Sequence, residues 1–219
     1  MEDYREANTR FLLMNNNWSG LVMDSSEKYV ERIKNSGIYP GYDLTAKHAF
    51  VDKDNINGLI ASRFKGEIGL LHIDIDGNDY WVWKAINVVS PVVVIMEYNS
   101  AFGIERPITI PYDKNFERTK AHHSNLYYGS SLLSLCDLAE EKGYYFVGTN
   151  SCGGNSYFIR KDKIGNLKVL TTEEGYVATK TREHRDKNGN LTFTSPEKGM
   201  EYLKGMPVFN TRENKIEEL

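Results

Sequence analysis

Ile68 to Asn99 reads IGLLHIDIDGNDYWVWKAINVVSPVVVIMEYN. It parses as strand, acidic turn, helix, strand. Leu70 to Ile75 is apolar until His72 and the first acid interrupt it, as expected of a strand covered on both faces. Asp74, Asp76 and Asp79 follow around Gly77. DYWVWKAI is the helix, and after Pro91 the run VVVIM ends in Glu97-Tyr98-Asn99. Two buried parallel strands that both end in carboxylates bring those carboxylates to one edge of the sheet. Open α/β sheets bind ligands at that edge.

The flanking sequence extends the alternation. Residues 5–17 read as a helix with Ala7, Phe11, Leu12 and Met14 inward. LVMD is a short strand ending at Asp24. Ser25 or Ser26 caps the helix EKYVERIKNS, which Gly37 closes. Leu44 to Val51 reads as a strand and Asn55 to Phe64 as a short helix. Residues 100–124 lack periodicity and carry prolines, the pattern of a binding loop at a sheet edge. Ser130 to Lys142 is a helix. Tyr144 to Thr149 and Asn155 to Arg160 are strands joined by the glycine-bearing NSCGG. The order predicts an α/β fold, a parallel sheet wrapped by helices with an antiparallel terminal hairpin. Residues 1–165 form the core. The more polar 166–219 read as a cap or arm that helps choose a substrate, with a turn at Asn188-Gly189 and a short helix from Glu197 to Leu203.

With 219 residues, 40% of them hydrophobic, the chain holds enough apolar side chains for one substantial core. The net charge of −3, with both signs interspersed, argues against a nucleic-acid partner. No apolar run reaches the ~20 residues of a membrane span. The charged start, MEDYREANTR, does not resemble a secretory leader. Cys136 and Cys152 suggest neither a disulfide framework nor zinc, which fits a cytoplasmic protein.

The residues able to do chemistry each admit two readings. Asp24, between strand and helix, either accepts ribose hydroxyls or caps the helix. Asp74 and Asp76 share a strand face by period two, and with Glu97 and Asn99 they could hold a hard divalent cation such as Mg or Mn. Alternatively, Asp76 and Asp79 cap the helix while Asp74 accepts backbone N–H groups. His72 reads best as a hydrogen-bonded core histidine. His122 and His123 lie in the long loop, where a histidine is a general base or simply exposed. Tyr127, Tyr128 and Ser130 could line a polar pocket. Arg182, His184 and Arg185 in TREHRD suit an anionic or polyhydroxyl ligand, or form a solvated charge run.

EANTRFLL, NWSGLVMDSS, LLHIDIDGNDYWVWKAI, VVVIMEYN, HSNLYYGSSLLSL and KGYYFVGTNSCGGNSYFIR together resemble the FkbM-like class I S-adenosylmethionine-dependent methyltransferases. The likeness spans about residues 3–160 and is most specific at DIDGND and MEYN. It implies a Rossmann-like methyltransferase sheet and O-methylation of a sugar or polyhydroxylated metabolite, as in surface polysaccharide biosynthesis. It implies a small-molecule or sugar-nucleotide acceptor. Asn8 and Thr9 are then expected near the amino-acid end of S-adenosylmethionine and Asp24 on its ribose, with Ser25 and Asp74 completing the cofactor contacts. His123 is the expected base, with Asp76 or a bound metal as the alternative. The pattern departs from the family at its front: the first strand and its glycine-containing loop are missing, which predicts a shortened reading frame. Competing readings are a DxD-type phosphatase or glycosyltransferase, built on Asp74-Ile75-Asp76, and a non-catalytic truncated domain. A homo-oligomer is compatible with all of these.

Overall fold

The computed structural model describes residues 8–180, 184–193 and 196–219. In chain order the elements are α1 (Arg10–Asn16), β1 (Gly20–Asp24), α2 (Glu27–Lys34), β2 (Leu44–His48), α3 (Ile56–Ala61), β3 (Gly66–Ile73), α4 (Asp79–Ala85), β4 (Val89–Glu97), β5 (Ile108–Thr109), α5 (Arg118–Ala121), α6 (Leu132–Lys142), β6 (Tyr144–Thr149), β7 (Asn155–Arg160), α7 (Thr172–Gly175), α8 (Pro196–Tyr202), β8 (Pro207–Asn210) and β9 (Lys215–Glu218). The expected alternation is there. The front of the helix read over 5–17 lies partly outside the described residues, as does Arg182.

Among the described residues the strands form three sheets rather than the one that the alternation predicts. β1 pairs with β2 in parallel. β3, β4, β7 and β6 form a mixed sheet in that order: β3 and β4 are parallel, and β7 is antiparallel to both β4 and β6. β5, β8 and β9 form a small antiparallel sheet. The protein is therefore mixed α/β, with parallel and antiparallel pairs in its main sheet.

Local chemistry accounts for the element ends. Ser26, not Ser25, caps α2 by accepting from the Tyr29 amide. Ser131 caps α6, and Gly143, at φ 86°, ends it in a left-handed turn that glycine adopts without Cβ strain. In β4, flanked by strands on both sides, Val94 and Met96 are wholly buried. They belong to a core with Trp83 of α4, Leu135 and Leu138 of α6, and Phe158 of β7. Burying a side chain of this size contributes about 1.5–3 kcal/mol.

A second apolar cluster gathers Phe102, Ile108, Ile110 and Leu126 with Leu203 and Val208 of the tail. Two ion pairs tie the tail down. Arg212 makes a two-pronged contact with Asp137 of α6, at 2.7 and 2.8 Å, and Arg106 pairs with Glu217 of β9. The turn read at Asn188-Gly189 is closed by an Arg185–Leu191 bridge, and the short helix appears as α8. The β8–β9 hairpin carries no turn motif that marked it in the sequence.

Candidate functional site

β3 leaves its ladder at Ile73, opposite Met96 of β4. One step further, Asp74 and Glu97 emerge side by side at the same edge. The strand does not continue through Asp76, which stands at φ 57°, a left-handed conformation that Asp tolerates better than most residues. Asp74 and Asp76 are therefore not a period-two pair on a strand face, as the sequence suggested. The chain has already turned between them.

Asp79 makes that turn. Its carboxylate is fully buried and accepts from the Ile75 and Gly77 amides, both at 2.9 Å. Burial, reinforced by the nearby Asp74 charge, raises its pKa to about 7 despite those two donors. Of the acids in DIDGND, Asp79 is the structural clamp, which frees Asp74 and Asp76 from that task.

The long loop closes over this turn. Gly77 has no side chain because the Phe116 ring occupies the space: a Cβ there would sit 2.3 Å from it. Asn78 donates to the Asp113 carbonyl at 2.8 Å, and the Gly129 amide donates to the Gly77 carbonyl at 3.1 Å. The same loop delivers Arg118, a residue that sequence reasoning passed over. Its guanidinium pairs with Asp76, its Nε donates to the Asn125 carbonyl at 2.8 Å, and its carbon lies 3.6 Å from the centre of the Tyr128 ring. No periodicity marks Arg118. The partner it holds is 42 residues away in the chain.

Electrostatically the edge is an acidic group that the Arg118 cation faces. Burial raises Glu97 well above the ordinary carboxylate range, and Asp74, Asp79 and Asp76 raise it further, while Arg118 opposes them. Its Oε2 is buried with no hydrogen-bond partner among the described residues. Asp74 keeps solvent access along a cleft wall, yet the protein crowding around it raises its pKa, with His72 opposing. Burial lowers the pKa of His72, which favours the neutral ring. Burial and the Glu97 charge push the Tyr128 hydroxyl up.

The other expected site residues fall as follows. The Asn8 amide meets His72 Nε2 at 3.3 Å, and Thr9 lines the same cleft as His72 and Asp74. Asp24 ends β1 and accepts from the Ser26 amide at 2.7 Å, so one of its oxygens stabilises the entry to α2. The Ser25 carbonyl meets the His48 ring at 3.0 Å. The His122 and His123 rings lie 4.2 Å apart, tilted by 42°, and burial followed by the His123 charge lowers the pKa of His122. His184 is buried, and Arg185 donates to the Gly189 carbonyl at 2.7 Å, so neither belongs to an open charge run.

Asn99 is committed elsewhere. Its amide donates to the Leu126 and Tyr128 carbonyls at 2.6 and 3.0 Å, and its Oδ1 accepts from the Ala101 amide at 3.0 Å. Asp76 is taken by Arg118. Among the described residues no three His, Cys, Asp or Glu side chains converge as a metal centre requires. Asp74, Asp76, Glu97 and Asn99 therefore do not fit a divalent cation as they stand.

No family model matches the chain, and no curated protein matches it. Among the described residues no helix is long and apolar enough to cross a membrane.

Proposed function

We propose that the chain is an S-adenosylmethionine-dependent O-methyltransferase acting on a hydroxyl of a sugar or polyhydroxylated metabolite. The observation that supports this most is the parallel register of β3 and β4. It sets Asp74 and Glu97 together at a strand-end edge that the Arg118–Tyr128 loop covers. In this reading β2–β1 and β3–β4–β7–β6 are two parts of one methyltransferase sheet.

The cofactor supplies an activated methyl group on a sulfonium. Its positive centres suit an edge where Asp74 stands outside the Arg118–Asp76 ion pair. Asn8 and Thr9 face its amino-acid end. The Asp24 oxygen not engaged by Ser26 accepts a ribose hydroxyl, with Ser25 beside it. The acceptor oxygen attacks the methyl carbon as the carbon–sulfur bond breaks, and the acceptor's proton passes to His123. Asp76 is the alternative base, but its pairing with Arg118 makes it the weaker one. The chain's main contribution is to position the two reactants and keep them in line.

Calorimetric titration with S-adenosylmethionine tests the reading directly. Saturable binding that Asp74→Asn weakens supports it, and absence of binding sinks it. Asp76→Asn is expected to collapse turnover while leaving cofactor binding largely intact.

A further inference from the structure

His122 to Leu126 reads HHSNL. The Asn125 amide donates to the His122 carbonyl at 3.1 Å and closes a tight turn. Ser124 lies inside this turn, fully buried. Its carbonyl accepts from the Arg185 amide at 3.3 Å, and its Oγ accepts from the Leu126 amide at 3.2 Å. The second bond is the one a turn serine commonly makes to the backbone two residues on. Ser124 is therefore pinned from the hairpin side and from its own turn.

Two groups of Ser124 then reach one atom of His122. The Ser124 amide donates to His122 Nδ1 at 3.3 Å, and the Ser124 Oγ lies 2.7 Å from the same nitrogen. A backbone N–H can only donate, so Nδ1 is the unprotonated, accepting nitrogen. The proton between Oγ and Nδ1 therefore belongs to serine, whose oxygen lone pairs remain for the Leu126 amide. A neutral imidazole with an accepting Nδ1 carries its proton on Nε2. Charging the ring would set a second N–H against both donors and cost both bonds. Burial acts in the same direction, and the His123 charge adds to it.

The His123 ring centre is 4.2 Å from that of His122. Two imidazolium ions at that distance repel, so near neutral pH the pair holds one proton rather than two. His123 is only partly buried, and among the described residues nothing hydrogen-bonds its ring. The neighbouring charges are engaged with one another. Glu117 pairs with Lys120, Arg118 pairs with Asp76, and Arg185 donates to the Gly189 carbonyl, while His184 is buried behind Ser124.

We propose that Ser124 is a positioning residue for the base: by fixing His122 as the Nε2–H tautomer, it reserves the proton of the pair for His123. His122 is then a neutral neighbour of His123 before and after the acceptor's proton arrives. The role of His123 as base rests on the methyltransferase reading. The tautomer of His122 does not.

The test is nuclear magnetic resonance of the 219-residue chain labelled with nitrogen-15 in its five histidine rings, which are assigned by removing them one at a time. Ring nitrogen shifts separate protonated from unprotonated nitrogens. His122 is expected to show a bare Nδ1 and a protonated Nε2 at about pH 8 and to keep that pattern down to about pH 6, while the charge of the pair appears on His123. Ser124→Ala removes the hydroxyl donor, and His122 is expected to bind a proton about fivefold more tightly, the worth of one hydrogen bond. The proposal is overturned if His122 of the parent chain carries its proton on Nδ1, if it charges before His123 or together with it, or if Ser124→Ala leaves its proton affinity unchanged. Should that variant fail to fold, the parent spectrum decides alone. Absence of S-adenosylmethionine binding in calorimetry sinks the reaction and with it the role of His123, whereas the wrong tautomer in a chain that binds the cofactor sinks this inference alone.

Discussion

The Arg118 guanidinium sits over the Tyr128 ring, with its carbon 3.6 Å from the ring centre. Both residues belong to the loop over the acidic edge, and Arg118 reaches down from it to Asp76. This contact holds the Arg118 charge in a fixed place beside the acids, so the loop and the β3–α4 turn are locked together. Arg118→Met is expected to cost about 1–3 kcal/mol, the combined loss of a desolvated cation–π contact and a charge-assisted hydrogen bond. Urea unfolding followed by circular dichroism measures it. A stability unchanged from the parent would show that the loop is held by other contacts.

Asp79 gives the stability a pH dependence of definite sign. Its folded pKa, about 7, lies above the ordinary value of 3.8. The folded state therefore binds more protons between those values, and the contribution is fully present below pH ~3.8 and lost as pH rises through about 7. The span amounts to at most about 4 kcal/mol. Asp79→Asn, which mimics the neutral acid, is expected to flatten this part of the pH–stability curve whatever its effect on the absolute level. An unchanged slope in unfolding experiments from pH 4 to 7.5 would exclude Asp79 as its source.

Asn99 ties the end of β4 to the loop through three backbone hydrogen bonds. Asn99→Ala leaves two carbonyls and an amide without partners in a buried setting, at about 1–3 kcal/mol for each group that water cannot reach. Asn99→Asp keeps the acceptor but sets a carboxylate against two carbonyls, and is expected to be at least as harmful. If either variant unfolds at the parent's urea midpoint, Asn99 is not the tie described.

Gly153 sits at φ 74°, and a Cβ there would lie 2.5 Å from the Val177 carbonyl oxygen. The Tyr98 hydroxyl donates to that same carbonyl. Gly153→Ala is expected to lower stability by more than the ~1 kcal/mol of left-handed strain alone, because the obstruction is backbone rather than a side chain that can swing away. Gly154→Ala, with nothing within 4 Å of the added carbon, is the matched control. Equal melting temperatures for the two variants would refute the close approach.

The sequence by itself determined what local pattern can carry. Apolar runs, caps and glycines marked the main strands and helices. The alternation implied parallel pairing, and carboxylates at the ends of consecutive strands implied an acidic edge. These follow from periodicity and from short-range backbone preferences. Tertiary structure alone decided which acid serves which purpose. Asp79 became the clamp and Asp76 the partner of Arg118, and Asn99 was drawn into the backbone network. Each role depends on hydrogen-bond partners brought from the 75–77 turn or from residues 101–128, and no local pattern encodes those meetings. The pairing of β5 with β8, about a hundred residues further on, is likewise a tertiary fact. Strand propensity resides in each segment, but whether an edge finds a neighbour depends on what the rest of the fold places beside it.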